Sequence, residues 1–205
     1  MAGFYERRIL PKLIDVACSQ PPMTRLRSEY VSRAHGRVLE VGIGTGLNLP
    51  HYGSAVTSIT GVDPAAELTS KARKRAAAIA QPVDVLGVSG EELPVEDRTF
   101  DCVVCTWTLC TIPAPALAIA EMRRVLKPEG ELIFVEHGRS DEPGIARWQA
   151  RIEPLWKPIG GGCHLTRRAD ELLSNGGFTL TEQRTGYEQG PRIAAFMIHG
   201  IATPT

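Results

Sequence analysis

Apolar positions in this chain follow a helical period at the N-terminus, short strand-like runs through the middle and a different arrangement at the end. Leu10, Leu13, Ile14 and Ala17 recur at helical spacing, with Pro11 tolerated near the start, and the Gln20-Pro21-Pro22 stretch is expected to end that helix. A second short helix is predicted over 24–33. Strands then alternate with helices: strand 38–41, strand 57–62, helix 65–80, strand 83–88, strand 100–105, helix 114–126 and strand 131–136. Such alternation means a parallel sheet covered on both faces. A helix from about Thr166 stops at Asn175-Gly176-Gly177, and strands near 178–185 and 192–200 follow as a final hairpin. A hairpin added to a parallel sheet makes one strand antiparallel.

The joint between the first two strands carries the chemistry. Val38-Leu39-Glu40-Val41-Gly42-Ile43-Gly44-Thr45-Gly46 reads as a strand running into a glycine-rich turn, and Gly61-Val62-Asp63-Pro64 as a second strand ending in an acid. Glycines at alternate positions let the backbone bend sharply and approach a ligand closely. Asp63 is placed to accept the hydroxyls of a ribose. It can equally cap a helix that Pro64 begins. The spacing is G-x-G-x-G rather than the G-x-G-x-x-G that seats a pyrophosphate on a helix N-terminus. An acid, Glu40, stands two residues before the first glycine and suits a cationic ligand better than a diphosphate. S-adenosylmethionine, with its ammonium and sulfonium groups, is such a ligand.

Composition narrows the field. At 205 residues the chain is read as one domain, and 23 basic against 23 acidic residues give no electrostatic case for a nucleic-acid partner. The N-terminal stretch is mildly basic: Arg7, Arg8, Lys12, Arg25, Arg27, Arg33 and Arg37 stand against Glu6, Asp15 and Glu29, which reads as a solvated helix face, with peripheral membrane contact allowed and not predicted. No apolar run approaches the roughly 18 residues that span a bilayer, and the N-terminus lacks the apolar core of a secretory signal. Cys18, Cys102, Cys105, Cys110 and Cys163 are odd in number and scattered, which points to reduced thiols and a cytoplasmic setting. Cys102 and Cys105 lie three apart on a strand and so point to opposite faces, as buried apolar residues rather than a metal clip. Cys163 with His164 and Cys110 does not supply the placed ligands a zinc site needs, so no metal is expected. Gly160-Gly161-Gly162 suggests close backbone approach, a movable lid or a plain loop.

Two further segments carry a resemblance. The run from Glu92 to Asp101, ELPVEDRTFD, resembles the L-P-F-x-D-x-S-F-D segment of small-molecule methyltransferases, and Val125-Leu126-Lys127-Pro128-Glu129-Gly130 resembles their R-V-L-K-P-G-G turn. With the glycine turn these cover 38–136 and liken the chain to the class I methyltransferases. Cys105 to Pro113, Val135-Glu136-His137, Glu153 to Arg167 and Gly190-Pro191-Arg192-Ile193 resemble the methyltransferase-like proteins that methylate alkyl thiols. Those relatives carry an N-terminal hydrophobic anchor that this sequence does not show, so membrane residence is not carried over.

The resemblance implies a Rossmann-like α/β fold with a mostly parallel seven-stranded sheet, an antiparallel C-terminal strand and N-terminal helices. It divides the single domain into a helical cap (1–36), a cofactor-binding core (37–136) and an acceptor-side segment with the terminal hairpin (137–205). It also implies S-adenosylmethionine as cofactor, with Gly42, Gly44 and Gly46 forming the turn, Glu40 at the methionine end and Asp63, beside Pro64, on the ribose. Ser89 stands where relatives carry an adenine-binding Asp, with Gly90 offering its N–H; Thr106 falls beside the methionine moiety and Asn48 starts the helix after the turn. On the acceptor side stand Cys110, Thr111, Glu136, Trp156 and Cys163, with His137 and His164 as candidate bases. Trp148 and Trp156 can wall an apolar pocket or pack in the core. Methyl transfer to a small thiol is the function these expectations favour. Phospholipid amine N-methylation and noncatalytic S-adenosylmethionine binding are the alternatives.

Overall fold

The computed structural model describes residues 10–205. The basic positions Arg7 and Arg8, and Glu6 beside them, lie outside the described residues. Helices α1 (Leu10–Cys18) and α2 (Pro21–Tyr30) open the chain, followed by β1 (Gly36–Val41), β2 (Val56–Val62), α3 (Ala66–Ala76), β3 (Val83–Leu86), β4 (Phe100–Thr106), α4 (Pro115–Val125) and β5 (Leu126–His137). Then come α5 (Pro143–Ile159), α6 (Ala169–Asn175), β6 (Phe178–Tyr187) and β7 (Phe196–Pro204). The seven strands form one sheet in the order β3-β2-β1-β4-β5-β7-β6. Strands β1 to β5 pair in parallel, and β7 is antiparallel to both of its neighbours, as the terminal hairpin predicts.

The central strands are apolar on both faces because both are covered. Leu39, Val41, Val103, Cys105, Leu132 and Phe134 pack toward α4 and α6. Val38, Cys102, Val104, Ile133 and Val135 pack on the other face toward α2 and α3. Cys102 and Cys105 therefore do lie on opposite faces, both fully buried.

Several boundaries differ from the sequence reading. Pro21 and Pro22 do not merely stop α1; they occupy the first turn of α2, where the missing N–H costs nothing. That helix therefore begins three residues earlier than expected, and Val31–Arg33 forms a 3-10 turn after it. Strand β5 begins at Leu126 instead of 131, since Leu126 already pairs with Phe100 before a bulge restores regular pairing at Glu131. The largest difference is α5, seventeen residues that the apolar pattern did not announce. Its inward groups are polar: Gln149 is fully buried, accepts the Ser140 N–H at 2.9 Å and donates to the carbonyls of Gly138 and Ile193 at 3.1 Å. Trp148, Leu155 and Ile159 are exposed instead.

Candidate active site

A cavity of about 720 Å³ opens at the carboxyl ends of β1, β2 and β4, the place where ligands bind in open α/β sheets. Its floor is the glycine turn. Gly42 and Gly46 are left-handed (φ 78° and 80°), and a side chain at either would collide with Thr108 or with Leu49 and Ala72. Gly44 (φ 53°) differs, for a Cβ there would meet nothing closer than 3.9 Å. Two of the three glycines thus serve the protein's own packing, and Gly44 leaves the room. Gly42 and Gly44 line the cavity; Gly46 lies beneath it.

Asp63 at the end of β2 fixes the turn. Its Oδ2 accepts the Gly44 N–H at 3.2 Å and its Oδ1 the Ala65 N–H at 2.8 Å. The helix beyond starts at Ala66 with Ala65 at its cap position, so Pro64 is not its first residue and Asp63 is not its cap. Burial raises the Asp63 pKa against these two bonds. Pro64, Ser89 and Gly90 line the same end. The Ser89 hydroxyl is turned to Glu91, donating to its carboxylate at 2.9 Å and accepting its N–H at 3.2 Å.

Behind the turn lies a buried polar chain. Arg27 of α2 donates from Nε to Asn48 Oδ1 at 2.9 Å, and Asn48 Nδ2 donates to Glu40 Oε1 at 2.9 Å and Thr106 Oγ1 at 3.0 Å. Tyr52 donates its hydroxyl to Glu40 Oε2 at 2.8 Å. Burial pushes Glu40 up to about 7, against the hydrogen bonds from Tyr52 and Asn48 and the charge of Arg27. Asn48 was expected to start a helix; a 3-10 turn follows it, and its side chain makes no cap bond but joins Arg27 to Glu40.

Sequence reasoning missed Arg27 as a site residue. The residue is 4% exposed, and its guanidinium lies 4.5 Å above the Trp107 ring and donates to the Cys18 carbonyl at 2.5 Å. No carboxylate among the described residues comes within ion-pair distance of it. Trp107, left-handed at φ 49°, lines the cavity and has a buried indole N–H without a partner. A basic residue on a short N-terminal helix looks like a solvated face in sequence, and nothing local marks it otherwise.

The roof comes from three distant segments. Leu10, Pro11 and Ile14 of α1 face the cavity, held there by Asp15, which accepts the Thr45 hydroxyl at 2.5 Å and pairs with Arg75 at 3.1 Å. The loop after β4 adds Thr108, Thr111, Ile112 and Pro113. Lys157, Gly161, Gly162 and His164 complete it, with His164 Nδ1 3.0 Å from Glu153.

Of the expected acceptor-side residues, Thr111 and His164 reach the cavity; Cys110, Glu136, Trp156, Cys163 and His137 stand behind its wall. Glu136 is fully buried and accepts three backbone N–H groups, from Thr108 at 2.8 Å, Leu109 at 3.0 Å and Cys110 at 3.1 Å, so it shapes the loop and does not face an acceptor. Burial raises it to about 7 against those bonds. Trp148 neither walls the cavity nor packs in the core; it is 55% exposed.

These residues fit S-adenosylmethionine. Arg27 has no carboxylate in direct contact and reaches Glu40 only through Asn48, so the cofactor's carboxylate is an anion it would meet. Glu40 would offer negative charge to its cationic end, and the Asp63 carboxylate, at the mouth of the turn, would face its ribose.

Residues 39–134 match the family model described as "Methyltransferase domain". The phosphatidylethanolamine N-methyltransferase of Cereibacter sphaeroides is 37% identical over 144 residues, which cover 69% of this chain and 70% of that protein. This chain belongs to the class I S-adenosylmethionine-dependent methyltransferases. The thiol S-methyltransferase TMT1B of Rattus norvegicus is 38% identical over 136 residues, 63% of this chain and 54% of that protein, so the match spans about half of that relative's length. The structure of 1,6-didemethyltoxoflavin-N1-methyltransferase from Burkholderia thailandensis, solved with its substrate and S-adenosylhomocysteine, superposes with a TM-score of 0.71 over 96% of this chain and 84% of that one. At 17% identity it speaks for the fold alone.

Proposed function

We propose that the chain transfers the methyl group of S-adenosylmethionine to a small, apolar thiol. The observation that carries this reading is the character of the roof. The acidic residues lining the cavity, Glu40, Asp63 and Glu67, belong to the ends of β1 and β2 and to α3, while the roof sets Lys157 and His164 among Leu10, Ile14, Ile112 and Pro113. Such a wall favours an apolar acceptor that reacts as an anion over one that carries an ammonium. The similarity to the rat thiol S-methyltransferase supports the same choice.

The cofactor supplies an activated methyl group for in-line displacement, and the protein's task is to hold the two partners aligned. The glycine turn and Asp63 are assigned to the adenosine, with Ser89 and Gly90 at the base. Arg27, Asn48, Glu40 and Thr106 are assigned to the amino-acid end. A thiol of pKa about 8.5 costs about 2 kcal/mol to ionise at pH 7, and an amine near 10.4 costs more than twice that. A strong base is therefore dispensable. His164, the histidine on the cavity wall, is assigned to steer the thiolate or take its proton, with Glu153 fixing its ring.

The test is incubation with labelled S-adenosylmethionine and a panel of small thiols, phenols, amines and phosphatidylethanolamine vesicles, with mass detection of the product. A methyl thioether is the expected result. The inflection in rate against pH should move with the thiol's own pKa; one that stays fixed and disappears in His164→Ala identifies a protein base instead. Cofactor binding without turnover of any acceptor would mark a noncatalytic protein.

A second reading, N-methylation of a phospholipid amine, is favoured by one specific feature. Leu13 and Val16 on α1 and Leu155 and Ile159 on α5 are exposed beside segments that form the roof, and the bacterial relative is named for that reaction. No helix among the described residues is long and apolar enough to cross a membrane, so this reading requires a peripheral contact. A cytoplasmic setting is proposed with either.

A further inference from the structure

Two cysteines that methyl transfer does not use lie together behind the roof. The peptide N–H of His164 donates to the Cys110 carbonyl at 2.8 Å, which sets the two chain segments, and with them the two cysteines, side by side; the Cys110 sulfur lies 3.4 Å from the Thr111 hydroxyl. Cys163 Sγ lies 3.8 Å from Nδ1 of His137, a histidine 6% exposed whose Nε2 is buried without a partner.

The two sulfurs are not equivalent. Cys110 sits over the buried carboxyl of Glu136, which accepts its backbone N–H at 3.1 Å, whereas Cys163 faces the imidazole of His137. Negative charge therefore settles on Cys163. The neighbouring Cys110 thiol is the largest cause, and His137 adds to it against burial. Cys110 moves well above the ordinary thiol range, through the neighbouring Cys163 first, then burial and the charge of Glu136. Paired sulfurs with one held as thiolate are the arrangement that reacts with disulfides.

We propose that Cys163 is an oxidation site for low-molecular-weight disulfides, with Cys110 as its resolving thiol. The Cys163 thiolate attacks one sulfur of RS–SR, the S–S bond breaks and RS⁻ departs, leaving Cys163–S–SR. Cys110 gives its proton to that RS⁻ and attacks the Cys163 sulfur; a second RS⁻ leaves and takes up the proton Cys163 had released. Two protein thiols are oxidised to one disulfide and RS–SR is reduced to two thiols. The new bond would join the loop after β4 to the turn at Gly161 and Gly162, both left-handed (φ 65° and 90°) and both on the cavity wall. Bridging would tie this roof segment covalently to the loop after β4. The proposal stands whichever acceptor the enzyme uses.

The probe is 2-hydroxyethyl disulfide, small enough to reach a half-buried sulfur, and the readout is intact mass and peptide mapping without reduction. Wild type should lose two hydrogen masses, gain a cross-link between the peptides of Cys110 and Cys163, and revert with reductant. Cys110→Ser should stop at the mixed disulfide on Cys163, and Cys163→Ser should not react at these positions. His137→Phe should slow the first step several-fold at neutral pH, with the difference vanishing at alkaline pH where the thiol ionises unaided. Melting curves of the reduced variants check that each is folded. Wild type keeping all five thiols free, an adduct that settles on Cys18, or Cys163→Ser reacting as fast as wild type would each overturn the assignment.

Discussion

The floor and the roof of the cavity are built in opposite ways. The floor, from Glu40 to Gly46 with Asp63, is two short contiguous segments on neighbouring strands, and much of its work is done by backbone geometry that glycine alone permits. The roof joins α1, the loop after β4 and the turn after α5, which meet only in the folded protein. The difference teaches which part of such a site is general and which part sets the acceptor. A floor of local motifs recurs with the cofactor, while a roof of distant segments can change one segment at a time.

Arg27 breaks that division and supplies the largest expected effect. It comes from α2, far in sequence from both floor segments, yet is assigned to the cofactor, as the buried cation that meets its carboxylate. Arg27→Met should weaken S-adenosylmethionine binding roughly 10–100-fold, the worth of about one charge-assisted hydrogen bond. Calorimetry with decarboxylated S-adenosylmethionine gives the control, because that ligand lacks the carboxylate. Wild type should bind it weakly and Arg27→Met should bind it no worse. Equal losses for both ligands would reduce Arg27 to a scaffold residue.

Asp63→Asn comes next and tests the floor itself. Asn keeps one acceptor oxygen and loses the charge, so the bond to Gly44 or to Ala65 weakens along with any ribose contact. A loss of about 1.5–3 kcal/mol in cofactor affinity is expected, with the melting temperature recorded alongside. Unchanged affinity in a folded variant would remove Asp63 from the cofactor site.

The loop of the roof rests on Glu136, and its contribution is to stability rather than to binding. In Glu136→Gln an NH2 group replaces one of the oxygens that accept N–H bonds, leaving at least one buried donor unmatched, at a cost of about 1–3 kcal/mol. The pH dependence has a definite sign. An unfolded glutamate loses its proton near 4.5, while the native Glu136 holds it to about 7; Glu40 behaves alike. Between those values the native state carries protons the unfolded chain has lost, so these groups lower stability as pH rises through the window. Denaturation series at pH 5 and pH 8 should show a smaller decline in Glu136→Gln than in wild type. Cofactor affinity should run the other way, rising toward pH 8 as Glu40 ionises for a cationic ligand and losing that rise in Glu40→Gln.

The floor was legible in sequence because its causes are local: the G-x-G-x-G spacing, the acid before it and the acid ending β2 need no tertiary contact to be recognised. The sheet was legible for the same reason, since apolar runs between turn residues carry their own period. Helix α5 was not, because its inward groups are the buried Gln149 and the half-buried Glu153 while Trp148, Leu155 and Ile159 face water, so its apolar stripe does not mark its packed side. Pro154 and Pro158 within it add a further signal against a helix. Glu136 and His137 were rightly read as lying at the end of β5, but whether a strand-end side chain turns into a cavity or beneath the next loop depends on that loop's path. Arg27 was invisible because burial of a single cation on an amphipathic helix leaves no trace in spacing.

The smallest expected effect belongs to Trp148, and it sharpens the choice of acceptor. The ring is 55% exposed with Arg151 stacked 5.5 Å from its centre, and it lies away from the cavity wall. Trp148→Ala should therefore change stability by no more than about 0.5 kcal/mol and leave both cofactor affinity and turnover of a dissolved thiol as they were. An exposed aromatic ring beside a cation is also the kind of group that settles at a lipid headgroup boundary. Assays on phosphatidylethanolamine vesicles and on a dissolved thiol then divide the two readings. A fall confined to the vesicle assay would give α5 an interfacial role and shift the balance toward a lipid amine. No change in either assay would leave the outer face of α5 without a part in acceptor selection, and selection would rest with the roof segments that face the cavity.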